Sequence, residues 1–306
     1  MARWKHLISL MDLEPAEIVD VLDLATAMKA DPAAYRKTLD GKTLGMVFQK
    51  SSTRTRISFE VGMYQLGGQG LFLSSNDLQL GRGETIQDTA RVLSRFVDMV
   101  MARVFDHQDI IDLAEYGSIP IINGLSDLLH PCQALADFLT IREHLGRVEG
   151  VKLVYVGDGN NVAHSLMHAS AKLGAHCVIA CPEGYEPDEA ILKVSRDAAA
   201  QTGGSIEVEH DPKAAVEGAH AVYTDVWTSM GQEKENEERK RVFADYQVNR
   251  DLFERALPDA IFLHCLPAHR GDEVTDDVAD HARSAIFDEA ENRLHAQKAV
   301  MLRLLD

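Results

Sequence analysis

From Lys42 onward this chain alternates short apolar runs with stretches whose apolar residues recur at helical spacing, and that alternation restricts the fold more than any other feature. Such short runs are strands rather than helices, and strands separated by helices pair side by side into a parallel sheet that the helices cover on both faces. The first series places strands at Leu44 to Phe48, Leu71 to Leu73, Met99 to Val104 and Ile119 to Ile122, with helices such as Thr85 to Phe96 and Gln108 to Tyr116 between them. A long helix from Asp127 or Leu128 to about Leu145 leads into a second series, with strands at Lys152 to Val156, Cys177 to Ala180, Ile206 to Val208, Ala221 to Val226 and Ala260 to His264. The fold class expected is therefore α/β, two doubly wound parallel-sheet domains joined by long helices. Their boundaries fall at 1–146 and 147–290, with 291–306 a helix returning to the first domain, and 306 residues suffice for two cores.

Charge narrows the partners. Thirty-one basic against 48 acidic side chains give a net −17, which argues against nucleic acid or an anionic membrane. No apolar run approaches the roughly 18 residues that cross a bilayer, and the first residues lack a secretory core, so a cytoplasmic location is expected. An anionic substrate then needs a locally basic pocket, for which Arg54, Arg56, Arg103 and Arg293 are candidates. The four cysteines, at positions 132, 177, 181 and 265, lack zinc-site spacing, and the thirteen histidines form no metalloprotease motif. No metal and no cofactor are implied.

Five stretches bear on the chemistry. Ser51-Ser-Thr-Arg-Thr-Arg56 sits where a strand hands over to a helix, with Ile57, Val61 and Tyr64 on one face and Phe59, Met63 and Leu66 on the other of what reads as a buried helix. A first helical turn has unpaired N–H groups and partial positive charge, so with hydroxyls and guanidinium groups it suits a phosphate. His130-Pro-Cys-Gln133 opens the long helix, where Pro131 suits the first turn and the spacing puts His130 and Gln133 near one face. Gly157-Asp-Gly159-Asn-Asn161-Val162 approaches a dinucleotide fingerprint, but the third glycine is Val162 and no ribose carboxylate follows the next strand, which disfavours an NAD-dependent oxidoreductase. Asp225 to Gly231 and His264 to Arg270 each follow a strand, where open parallel sheets bind ligands. The charged run Gln232 to Arg241 reads as a solvated helix or flexible loop.

Ser52-Thr-Arg-Thr-Arg56, His130-Pro-Cys-Gln133, Asp225 with Ser229-Met-Gly231, His264-Cys-Leu-Pro267 and Glu291-Asn-Arg293 occur in an order that resembles the aspartate/ornithine carbamoyltransferase family over essentially the whole chain. The Ser-Met-Gly loop and His-Cys-Leu-Pro resemble its ornithine branch. That resemblance implies cofactor-free transfer of a carbamoyl group from carbamoyl phosphate to the δ-amine of L-ornithine, giving L-citrulline and phosphate, in arginine biosynthesis or, reversed, in catabolism. It implies a first, carbamoyl-phosphate domain and a second, ornithine-binding domain. Carbamoyl phosphate would be held by Ser52, Thr53, Arg54, Thr55, Gln79, Arg103, His130, Pro131, Cys132, Gln133, Cys265, Leu266 and Arg293. Of these, Arg54, Thr55, His130, Cys265 and Arg293 would take part in catalysis. Asn161, Asp225, Ser229 and Met230 would hold ornithine. A homotrimer or an assembly of trimers is implied, with Gln79 lent by a neighbouring subunit. Branches that use putrescine or acetylornithine share the phosphate site, and Asp225 facing a free α-amino group argues against both.

Overall fold

The computed structural model describes residues 4–74, 83–228 and 235–305, and the chain divides into two compact units, residues 1–139 with 291–306 and residues 140–290. Gln79, Ser229 and Met230 lie outside the described residues.

The first unit begins with α1 (Pro15–Ala30), which ends where the sequence places Asp31-Pro32. It continues through β1 (Thr43–Phe48), α2 (Thr53–Gln65), β2 (Gln69–Ser74), α3 (Ile86–Leu93), β3 (Met99–Arg103), α4 (His107–Tyr116) and β4 (Ile121–Leu125). Its four strands are parallel in the order β2-β1-β3-β4. The starts of α2, α3 and α4 are set by side-chain caps: Ser52 Oγ accepts from Thr55 N, Thr85 from Asp88 N and Asp106 from Gln108 N. Val47, Val100, Ala102, Ile110, Leu113 and Ile121 pack together as the core beneath α3 and α4.

α2 departs from its sequence reading. Phe59, Met63 and Leu66 are fully buried, but Ile57, Val61 and Tyr64 are 52, 37 and 81 % exposed. The helix rests one face on its own unit, and the opposite face is open to solvent in the single chain. Gly62 lets the last helix approach on the covered side, since a Cβ there would stand 3.0 Å from Met301 and 3.2 Å from Lys298.

α5 (Pro131–Leu145) starts at the proline rather than at Asp127 or Leu128, because Pro needs no N–H partner at the first helical position. It runs on into the second unit's residues. There follow β5 (Lys152–Val156), α6 (Asn161–Leu173), β6 (His176–Ala180), α7 (Glu189–Thr202), β7 (Ser205–Glu209), α8 (Pro212–Val216), β8 (Ala221–Thr224), α9 (Asn236–Val242), α10 (Arg250–Phe253), β9 (Ile261–His264) and α11 (Asp276–Ala279). The five strands are parallel in the order β7-β6-β5-β8-β9. Gly174 and Gly203 end α6 and α7 in the left-handed conformation that glycine adopts without cost. The aromatic core joins Trp227, Phe243, Tyr246, Phe253 and Phe262. α12 (Ile286–Leu305) starts among the second unit's residues and finishes among the first's. The charged run before β9 is less solvated than its composition suggests, because Arg239 in α9 is buried.

Candidate functional site

In both sheets the chain leaves one strand toward opposite neighbours, and the loops at that reversal carry the functional side chains, as open α/β sheets require. In the first unit the reversal lies between β1 and β3. Phe48 pairs with Arg103 there, so the Ser52 to Arg56 turn and Arg103 leave the same sheet edge. Leu125 of β4 pairs with Arg103 from the other side, which brings the His130 to Gln133 segment to that edge too.

Arg293 links these pieces. It is 3 % exposed, its Nη1 donates to Gln133 Oε1 at 2.6 Å, and its Nη2 donates to Thr55 Oγ1 at 3.3 Å. Gln133 in turn donates to Asp137 at 2.7 Å. Among the described residues Arg293 meets no carboxylate, so a buried cation is held by neutral oxygens alone. Burying a charge without an opposite charge costs several kcal/mol, on the order of what a bound anion restores. Arg103 is also buried, at the end of β3. Burial, then Arg293 and Arg103, hold the His130 imidazole well below its ordinary pKa. His130 is therefore neutral near pH 7, with one ring N–H to donate and no charge to add to the two guanidiniums.

The rest of the predicted phosphate set sorts by exposure. Ser52 caps α2 and is half-buried with Arg54, Thr55 is buried, and Thr53 is exposed. Arg56 does not join them: it pairs with Glu60 at 3.2 Å and lies over the Phe72 ring at 3.8 Å. Pro131 opens α5, and the Cys132 thiol turns away into the core toward Asn123 O at 3.4 Å, where burial pushes its pKa up to about 12. That leaves Cys132 only its backbone to offer a ligand.

In the second unit the reversal lies between β5 and β8, where Val156 pairs with Thr224, and Thr224 pairs with His264 of β9. The three strand ends carry Asn160 and Asn161, Asp225, and Cys265. Asp225, 8 % exposed, accepts from Asn160 Nδ2 at 3.1 Å, from Cys265 Sγ at 3.0 Å and from Val226 N at 2.8 Å. No cation faces it among the described residues, so the buried charge has the opposite sign to that in the first unit. Asn160, which the sequence reading passed over in favour of Asn161, is the cap of α6 and the residue that reaches Asp225. Asn's preference for the helix cap was the available signal. Asn161 opens α6 half-buried, and its carbonyl accepts from Ser165 Oγ. Asp158 pairs with Arg239 at 2.8 Å, which also donates to Trp227 O at 2.9 Å and so ties the loops after β5 and β8 together.

Asp225, His264 and Cys265 bring three metal-ligand atoms within 4.8 Å of one another. They make a poor cation site, because both His264 nitrogens are engaged: Nδ1 accepts from Leu266 N at 2.9 Å and Nε2 faces Glu273 Oε1 at 3.0 Å. Leu266 adopts φ +57°, and the bond from Leu266 to Pro267 is cis.

Among the described residues one switch point holds a buried cation without a carboxylate partner and the other a buried carboxylate without a cation, which fits a transferase that takes an anionic and a cationic group, and the chain belongs to the aspartate/ornithine carbamoyltransferase family. Residues 5–143 match its carbamoyl-P binding domain and residues 149–304 its Asp/Orn binding domain. Within the family, the chain is 62 % identical over 299 residues to an ornithine carbamoyltransferase of Thermococcus kodakarensis, covering 97 % of this chain and 95 % of that one. An anabolic ornithine carbamoyltransferase of Pyrococcus furiosus is 60 % identical over 299 residues, with 97 % and 95 % covered. The solved structure of ornithine carbamoyltransferase from Pyrococcus furiosus superposes with a TM-score of 0.94 at 60 % identity, over 97 % of this chain and 96 % of that one.

Proposed function

We propose that this chain transfers the carbamoyl group of carbamoyl phosphate to the δ-amine of L-ornithine, giving L-citrulline and phosphate. One observation carries the reading: among the described residues each unit holds a buried charge with only neutral partners, positive at Arg293 and negative at Asp225. The family match and the two relatives bearing this activity support the same substrates.

In this reading the first unit holds carbamoyl phosphate. The phosphate takes the N–H groups and hydroxyls of Ser52, Thr53 and Thr55 with the guanidiniums of Arg54 and Arg103, and Gln79 adds a donor. The carbonyl oxygen takes donors from Thr55, His130, Arg54 and Arg293, while the Gln133 side-chain oxygen and the carbonyls of Cys265 and Leu266 accept from amide and amine N–H groups. The second unit holds ornithine, with Asp225 taking the α-ammonium and Asn161, Ser229 and the Met230 backbone completing the clamp. The neutral δ-amine attacks the carbonyl carbon, a C–N bond forms, and negative charge moves onto the oxygen. Each positioned donor lowers that barrier by about 3 to 4 kcal/mol. The intermediate collapses as the C–O bond to phosphate breaks, phosphate leaves with the bonding pair, and the nitrogen gives its proton to phosphate or solvent. His130 acts as a neutral donor, because a third cation beside Arg103 and Arg293 is suppressed.

The same reading includes self-association as a homotrimer in the cytoplasm, with Gln79 lent to a neighbour. The open apolar face of α2 and the exposed Leu71 and Phe72 of the edge strand β2 support such an interface. An assay of citrulline formed and phosphate released from carbamoyl phosphate and ornithine tests the reaction, and absence of stoichiometric products would overturn it.

A further inference from the structure

We propose that Glu273 is a positioning residue whose single oxygen Oε1 sets the tautomer of His264, and through it aims the Cys265 carbonyl at the reacting amide and amine. The proposal rests on the reading that the turn after β9 accepts those N–H groups.

The relay is built from buried groups. The side chains of His264 and Glu273 are both fully buried and stand 3.0 Å apart, Nε2 to Oε1. The other imidazole nitrogen, Nδ1, lies 2.9 Å from the backbone nitrogen of Leu266. A backbone N–H can only donate, so Nδ1 keeps its lone pair and the ring proton sits on Nε2, where Glu273 accepts it. Were the proton on Nδ1, two N–H groups would face each other and the Leu266 contact would be lost. Leu266 cannot hold its own geometry, because φ +57° is a conformation that a leucine rarely adopts.

The consequence for the carbonyl follows from the planar peptide. In the trans unit joining Cys265 to Leu266, N–H and C=O point in opposite directions. Fixing that N–H on the imidazole turns the Cys265 carbonyl away from His264. The same Oε1 also accepts from His269 N at 2.5 Å, so one oxygen clasps both ends of the turn from His264 to His269. Glu273 is anchored in its turn by Val248 N, which donates to its carbonyl at 2.9 Å. Gln247 Nε2 donates to the carbonyls of Gly271 at 3.0 Å and Asp272 at 2.8 Å, which stiffens the approach. The second carboxylate oxygen has no hydrogen-bond partner, and the His269 ring nitrogen stands off at 3.9 Å. An amide oxygen at this position could therefore take over both bonds.

The test compares Glu273→Gln and Glu273→Leu with the unaltered enzyme. The Gln variant should keep kcat within about threefold, and the Leu variant should lose about 10- to 100-fold, the order of loss seen when a metal-bound histidine is deprived of the partner that orients it. Inhibition by L-2-aminopentanoate, which is ornithine without its δ-amine, measured at saturating carbamoyl phosphate, should stay within about threefold in both. A Leu variant with normal kcat, or one that weakens the inhibitor as much as turnover, overturns the proposal. Because the Leu variant can misfold, the tautomer is also read in the unaltered enzyme by nitrogen-15 NMR of labelled histidine, with the His264 signals assigned by their loss in His264→Gln. A neutral ring protonated at Nε2 is expected, and protonation at Nδ1 overturns the proposal. If the unaltered enzyme forms no citrulline, the functional reading fails while the tautomer measurement still stands on its own.

Discussion

Replacing Arg293 by methionine separates what the guanidinium does for folding from what it does for binding. In the free protein it makes one good hydrogen bond, 2.6 Å to Gln133, and one long one, 3.3 Å to Thr55. A bond from a charged donor contributes about 1.5 to 3 kcal/mol, less at the longer distance. Against this stands the dehydration of a cation that meets no carboxylate among the described residues, which costs several kcal/mol. The two nearly cancel, and methionine fills much of the space, so stability should change by no more than about 2 kcal/mol and the unfolding midpoint by less than about 8 °C. Binding has no such offset. Removing one side of a buried charged contact to ligand costs about 2 to 5 kcal/mol, so affinity for the first substrate should fall by at least about 30-fold. Calorimetric titration with phosphonoacetamide, in which a methylene replaces the labile bridging oxygen of carbamoyl phosphate, measures this without turnover. Affinity within threefold of the parent, or a midpoint lowered by more than about 15 °C, would refute the reasoning.

Asp225→Asn should raise the KM of ornithine by about 10- to 150-fold while that of carbamoyl phosphate moves by less than about threefold, since one charge-assisted bond of about 1.5 to 3 kcal/mol is lost on one substrate. Steady-state kinetics decide, and equal weakening of both substrates would make Asp225 structural. Arg54→Lys should retain less than about a tenth of kcat, because a point charge replaces a planar donor to phosphate and oxyanion. His130 has a folded pKa depressed below its unfolded value near 6.5, so its contribution is present above that pH and is lost as pH falls through and below it. Thermal midpoints should therefore drop less between pH 7.5 and 5.5 in His130→Gln than in the parent, and an equal drop would contradict the burial of a neutral ring. Turnover should rise from pH 6 to 9 as the δ-amine, with a pKa of about 10.4 in water, loses its proton, and a flat profile would count against attack by the neutral amine.

Much of this was legible before any coordinates, for identifiable reasons. The parallel α/β architecture followed from the alternation of runs, because period and length are written locally. The start of α2 after its cap Ser52 follows chemistry that is equally local, whereas α5 begins at Pro131 rather than at Asp127 or Leu128. What the sequence concealed depends on contacts between distant segments. Arg56 is one of four arginines that the sequence offers for a basic pocket, and the fold sets it over the Phe72 ring beside Glu60. Ile57, Val61 and Tyr64 looked buried because amphipathic spacing cannot say which face meets a neighbour within the chain. Arg239 sat in a run of charges, and only the fold reveals its bond to Asp158 across 81 positions. Asn160 lost to Asn161 because adjacent identical residues are told apart only by the cap geometry.

The account's central claim is an acceptor choice made by one buried negative charge at Asp225 and one site for a carbamoyl donor. It is tested most directly by kcat/KM for carbamoylation of L-ornithine, putrescine, N-acetyl-L-ornithine and L-aspartate under identical conditions. N-acetyl-L-ornithine has no free ammonium for Asp225, and buried polar groups left unpaired by the wrong substrate discriminate by about 10⁴-fold, so ornithine should exceed it by a factor of that order. Putrescine keeps an ammonium at that position and lacks only the α-carboxylate, so its deficit should be smaller. A value for putrescine, N-acetylornithine or aspartate equal to or above that for ornithine would contradict it.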